Sequence, residues 1–84
     1  QGNIIMHDAL INVITKIGDN CIINSKALIE HDCRIFDHCH ISTGAIINGG
    51  VTVKSRCFIG SGAITKESIL IDENNFIKAG SLII

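Results

Sequence analysis

Four histidines and four cysteines among 84 residues are the side chains with chemistry to offer. His31 stands out because Glu30 and Asp32 flank it. A carboxylate beside an imidazole selects its tautomer and raises its basicity, which suits a general base. Cys21, Cys33, Cys39 and Cys57 would, in so short a chain, suggest a disulfide framework or a zinc site. Their separations of 12, 6 and 18 residues are all multiples of six, however, and that number belongs to the scaffold.

Starting at Ile5 and stepping by six, thirteen of fourteen positions are Ile or Val, the exception being Thr65. A helix needs apolar residues at i, i+3, i+4 and i+7, and a period of six leaves it no apolar face. Two residues before each of these positions the side chain is mostly small, as at Ala9, Thr15, Cys21, Ala27, Cys33, Cys39, Ala45, Val51, Cys57 and Ala63. Residues two apart on a strand share a side. Each hexad therefore reads as a short strand with one small and one bulky inward residue, then a turn rich in Gly, Asn, Asp and Ser. Repeats of this kind predict a parallel β-helix, three strands per coil and 18 residues per turn.

The fold expectation is thus all-β, a parallel β-helix of hexapeptide repeats with about four and a half coils in one domain over residues 1–84, and the pattern resembles the left-handed β-helix of hexapeptide-repeat acyltransferases. The frame weakens after Ala63, where Thr65 and Asn75 occupy inward positions, which predicts a bend or a looser last coil. The cysteines all fall on the small inward position and become buried, inert thiols suited to a reducing, cytoplasmic compartment.

Outward residues sort into three faces. The first reads Leu10, Leu28, Ile46, Ile64 and Leu82; the second Lys16, Arg34, Thr52 and Leu70; the third Ile22, His40, Phe58 and Phe76. Two adjacent faces that are apolar outside as well as inside mark an interface. A closed ring would set the first face of one subunit against the third face of the next. The net charge of −1 offers no footprint for nucleic acid or an anionic membrane. No apolar run exceeds three residues, against the roughly 20 that a membrane span needs.

In this frame residue 49 lies one coil beyond His31, and it is Gly, followed by Gly50. The turn above His31 has no side chains, so a ligand can approach and a backbone N–H can face an oxyanion. Spacing alone fits equally a solvated turn histidine beside surface carboxylates. Gly44, Gly62 and Gly80 stack on another corner, as a ligand groove or simply as turn glycines with an unusual φ. His7 and His38 lack such support, and His38 reads as solvent-facing.

The run from Ile23 to Val51 resembles the hexapeptide-repeat sugar acyltransferases, which include sialic acid O-acetyltransferases and bacterial UDP-4-amino-sugar N-acetyltransferases. The residues that carry the resemblance are Asn24, the E-H-D-C of Glu30 to Cys33, and H-I-S-T-G-A from His40, followed by the Gly49-Gly50 turn. The resemblance implies an acetyl-CoA-dependent acetyltransferase that modifies a sugar amino or hydroxyl group by direct attack, with no metal. It makes His31 the general base and Asp32 the residue that raises its basicity. It places His40 and the Gly49 N–H at the thioester, the pantetheine along Ser61 and Ala79, and Asn24 at the acceptor. It also implies a homotrimer.

Family members usually carry an N-terminal nucleotide-binding domain that selects the sugar, and these 84 residues include none. The family's C-terminal G-V-P-A segment has only a remnant in A-G-S-L-I-I, from Ala79 to Ile84. Two rival functions share the fold. Zinc-dependent γ-type carbonic anhydrases place their third histidine ligand five residues after the second, whereas His38 and His40 are two apart. A non-catalytic structural or ice-binding β-helix would show regular Thr ladders, and the outward positions show none.

Overall fold

A computed structural model describes all residues, Gln1–Ile84. It contains fourteen two-residue strands: β1 (Ile4–Ile5), β2 (Leu10–Ile11), β3 (Lys16–Ile17), β4 (Ile22–Ile23), β5 (Leu28–Ile29), β6 (Arg34–Ile35), β7 (His40–Ile41), β8 (Ile46–Ile47), β9 (Thr52–Val53), β10 (Phe58–Ile59), β11 (Ile64–Thr65), β12 (Leu70–Ile71), β13 (Phe76–Ile77) and β14 (Leu82–Ile83). No helix interrupts them. Each strand pairs in parallel with the strand three further on, so Leu10 faces Leu28, Lys16 faces Arg34 and Ile22 faces His40. Three sheets result. β2, β5, β8, β11 and β14 carry the first face, β3, β6, β9 and β12 the second, and β1, β4, β7, β10 and β13 the third. The chain is a left-handed β-helix, and its coils have the 18 residues that the period requires.

The wall is built as the hexad predicts. Ile23, Ile29, Ile41, Ile47, Val53 and Ile59 are fully buried, alternating with buried Cys21, Ala27, Cys33, Cys39, Ala45 and Cys57. Each buried aliphatic side chain contributes about 1.5–3 kcal/mol. Burial fades towards both ends, where no further coil covers the inward residues: Ile5 is exposed and Ile83 only partly covered.

The corners obey the same period. One residue in every six, from Gly2 to Gly80, has φ between 56° and 72°. Five of the fourteen are glycine; the rest include Asp8, Asn20, Asp32 and Asn74, which tolerate the left-handed region, and Ile14, which does not. On the corner from the third to the first face, Ala27, Ala45, Ala63 and Ser81 donate back to Asn24, Ser42, Gly60 and Lys78 at 3.1–3.2 Å. With φ positive at the third residue, these have the form of type II turns.

The strands beyond Ala63 stay in register through β13 and β14, and no bend interrupts the stack. What changes at Thr65 is one rung of the ladder. Elsewhere on the first face the residue after the strand donates to a backbone carbonyl one coil on, as Glu30 does to Ile47 at 2.9 Å. Asn48 instead donates its N–H to the Thr65 hydroxyl at 3.1 Å, and its side-chain amide takes the Thr65 carbonyl at 2.7 Å.

Candidate active site

His31 and Asp32 form the corner between β5 and β6. Asp32 holds φ at 59°, and its Oδ2 lies 3.1 Å from His31 Nδ1. A carboxylate there favours the tautomer with hydrogen on Nδ1 and leaves Nε2 as the free base. Both side chains are a little over half exposed, at 60% and 55%, so the ring is open to a ligand from solvent. Glu30 does not join them; its Oε1 accepts a hydrogen bond from Asn12 Nδ2 at 3.2 Å, one coil below.

The ring lies against Gly49. A Cβ added there would sit 3.0 Å from both Cε1 and Nε2 of His31, closer than ordinary contact allows. Glycine is favoured here by proximity rather than by φ, which is not positive at this residue: a Cβ would make the exposed ring give by a few tenths of an ångström. The Gly49 N–H donates to no other group of the chain, while the next amide, of Gly50, donates to the His31 carbonyl at 3.0 Å. His31, Asp32 and Gly49 thus form one cluster: a base, its orienting carboxylate and a free backbone donor.

His40 and Asn24 form a second cluster, on and beside the third face. Asn24 Nδ2 is 3.5 Å from His40 Nε2, a loose contact, and Asn24 Oδ1 caps its own turn by accepting the Ser25 N–H at 2.7 Å. The His40 ring packs on Phe58 with centroids 4.9 Å apart, and Phe58 stacks on Phe76 at the same distance with rings nearly parallel. On the adjoining corner the N–H groups of Ser61 and Ala79 donate to nothing within the chain. A Cβ added to Gly44, Gly62 or Gly80 would meet nothing within 4 Å, so these glycines serve their φ of 69°–72° and leave the backbone bare.

The fold keeps the two clusters apart. His31 sits where the first and second faces meet, whereas Asn24, His40, Ser61 and Ala79 lie at or beside the edge between third and first. Leu28, Ile46 and the rest of the first face separate them within one chain. His7 and His38 are exposed. No three His, Cys, Asp or Glu side chains converge as metal ligands would.

The cysteines are free and buried. Each thiol points at a carbonyl fifteen residues on: Cys21 at Phe36, Cys33 at Asn48, Cys39 at Lys54 and Cys57 at Asp72, with Sγ–O distances of 2.9–3.1 Å. Burial pushes the thiols of Cys21 and Cys33 up, and that of Cys39 to about 11. They stay protonated and donate. Sequence reasoning treats them as small apolar fillers and misses that role. It also misses the Asn48–Thr65 pairing, whose one visible signal is Thr65 itself, the lone break in the Ile/Val series.

The second face carries a shallow pocket of about 200 Å³ lined by Lys16, Gly18, Arg34, Phe36 and Asp37 among others. Arg34 and Lys54 both lie over the Phe36 ring, 5.4 and 5.2 Å from its centroid.

Comparison with known proteins bears on the repeat and the fold. Residues 14–49 match the family described as bacterial transferase hexapeptide (six repeats). Among solved structures the chain is similar to the acetyltransferase domain of PglB from Neisseria gonorrhoeae FA1090, at TM-score 0.78 and 24% identity over 99% of this chain. The chain spans 46% of the length of that structure. No curated protein matches it. Residues 14–49 thus match the bacterial transferase hexapeptide repeat, and the chain as a whole has the fold of that acetyltransferase domain.

Proposed function

We propose that this chain transfers an acetyl group from acetyl-CoA to an amino or hydroxyl group of a bacterial sugar, nucleotide-linked or sialic-acid-like. The observation that carries the reading is the His31 imidazole, oriented by Asp32 at 3.1 Å and lying beside Gly49, whose N–H is unpaired within the chain. Likeness to an acetyltransferase domain supports the choice of acyl group.

In this reading His31 Nε2 takes the proton from the acceptor as its nitrogen or oxygen attacks the acetyl carbonyl carbon. The new bond forms directly, with no acyl-enzyme. The Gly49 N–H faces the oxyanion of the tetrahedral intermediate, a donor in place before charge develops. The C–S bond then breaks, and the CoA thiolate leaves with the proton that His31 held. His40 contacts the thioester end, Ser61 and Ala79 present bare backbone to the pantetheine, and Asn24 holds the acceptor. No metal takes part, and the four buried thiols fit a cytoplasmic setting.

Because the first face separates the two clusters, one chain supplies only half of this site. A homotrimer completes it when Leu10, Leu28, Ile46, Ile64 and Leu82 of one subunit meet Ile22, His40, Phe58 and Phe76 of the next. The exposure of Leu10 at 59%, Phe76 at 67% and Leu82 at 63% supports association through these faces.

Acetyl-CoA turnover on a panel of amino sugars and sialic acids, wild type against His31→Ala, tests the chemistry. The substitution is expected to remove turnover by at least about a hundredfold, the scale of a general base; an undiminished rate refutes the assignment. Light scattering tests the assembly, and a monomer at micromolar concentration refutes the trimer.

A further inference from the structure

The Gly49 N–H donates to nothing within the chain, and neither do the amides of His31, Ser61 and Ala79 at the same turn position; what differs at Gly49 is how the peptide before it is held. The peptide bonds are all trans, so the N–H of Gly49 runs opposite to the carbonyl of Asn48. That carbonyl points into the core, where the Cys33 thiol donates to it at 3.1 Å. The other three cysteines make the same contact elsewhere, so this one alone does not distinguish the coil.

The distinguishing group is Thr65. It is fully buried at a position where every other coil has Ile or Val. Its hydroxyl takes the Asn48 N–H at 3.1 Å, displacing the regular rung to a carbonyl. The Asn48 side chain then takes up the vacated Thr65 carbonyl at 2.7 Å. Asn48 is thereby held at its N–H, its side chain and its carbonyl, immediately before the residue against which His31 lies. A buried hydroxyl and a paired amide are costly where aliphatic wall would serve, unless they position something.

We propose that Thr65 and Asn48 are positioning residues for the active site: they set the tilt of the 48–49 peptide so that the Gly49 N–H faces the reacting carbonyl beneath His31. The inference rests on the acetyltransferase reading for its chemistry but not for its geometry. Thr65 touches neither substrate nor base; it acts through Asn48 and Gly49.

Thr65→Val is the decisive variant because it installs the residue type of the other coils and allows the regular rung to form. Thr65→Ser keeps the hydroxyl, and Thr65→Ala removes it without adding bulk, should Val fail to fold. In the ligand-free protein, the Gly49 amide resonance is expected to move in Thr65→Val and to return to its wild-type position in Thr65→Ser. With acetyl-CoA and the sugar panel, Thr65→Val is expected to lower kcat about tenfold, the scale of a small misplacement. Its KM for acetyl-CoA should stay within about twofold, because only a transition-state contact is lost. Its melting temperature should equal or exceed that of wild type. A Gly49 resonance unmoved in Thr65→Val, or full turnover in that variant, overturns the proposal. A wild type without turnover overturns the acetyltransferase reading instead, and the Gly49 resonance then decides the positioning by itself.

Discussion

Gly49 on one corner of the prism and Gly44, Gly62 and Gly80 on another are glycine for opposite reasons. On the corner that bears His31, Gly49 lets the imidazole lie close, where a Cβ would approach it to 3.0 Å. On the corner between the third and first faces, Gly44, Gly62 and Gly80 have open space around them and a φ of 69°–72°. A backbone brought close to a side chain is a device for a site, whereas a backbone in the left-handed region is a device for a turn. The same residue type in the same repeat therefore bears on activity in one place and on stability in the other.

Substituting each corner separates these roles. The largest effect is expected from Gly49→Ala: the new methyl makes the His31 ring give by a few tenths of an ångström, and acetyl-CoA turnover falls by about tenfold or more. Thermal denaturation should move little, because φ at this residue is not positive. Turnover at the wild-type rate would mean that the ring need not rest on Gly49.

Gly44→Ala is expected to reverse the pattern. The left-handed φ of 69° costs a residue with a Cβ about 1–2 kcal/mol, which a denaturant titration reads directly. Turnover per folded molecule should not change. Ile14, one coil below Asp32 on the His31 corner, extends the test in the opposite direction, since it holds φ at 58° with a β-branched, exposed side chain. Ile14→Gly should raise stability by up to about 1 kcal/mol, and any loss would show that Ile14 makes a contact worth more than its strain.

The smallest effect lies inside the prism and depends on pH. Burial raises the Cys21, Cys33 and Cys39 thiols above their ordinary value of 9.0, Cys39 to about 11. The folded state thus holds these protons more tightly than the unfolded chain. The stability that follows is fully present below pH 9 and is lost as pH rises towards 11. Denaturation midpoints measured from pH 8 to 11 should fall across that window, and Cys39→Ala should flatten the slope. At pH 8 a thiol reagent should label none of the four until the protein unfolds.

Most of the architecture was legible in the residues because the hexad repeats its demand at every step. The Ile5-to-Ile83 series and the small positions two residues earlier specify inward pairs, strands and corners, and the structure places them so. The pairing of His31 with Gly49 follows from the 18-residue coil by the same arithmetic. Other parts were not legible. Glu30 and Asp32 flank His31 symmetrically in sequence, yet Asp32 reaches Nδ1 while Glu30 is engaged by Asn12 in the coil below. Thr65 looks like a defect in the wall, and only the ladder shows that it trades one hydrogen bond for two.

The repeat by itself determined which residues point inward, which corner each turn occupies and which side chains stack. Period and chain geometry suffice for that, because a coil of fixed length maps sequence distance onto position. Tertiary structure alone decided which of two adjacent carboxylates orients the imidazole, and that Thr65 and Asn48 recast one rung of the ladder. Those outcomes depend on distances of a few tenths of an ångström between coils, and on the direction of a carbonyl, which no spacing of residue types encodes.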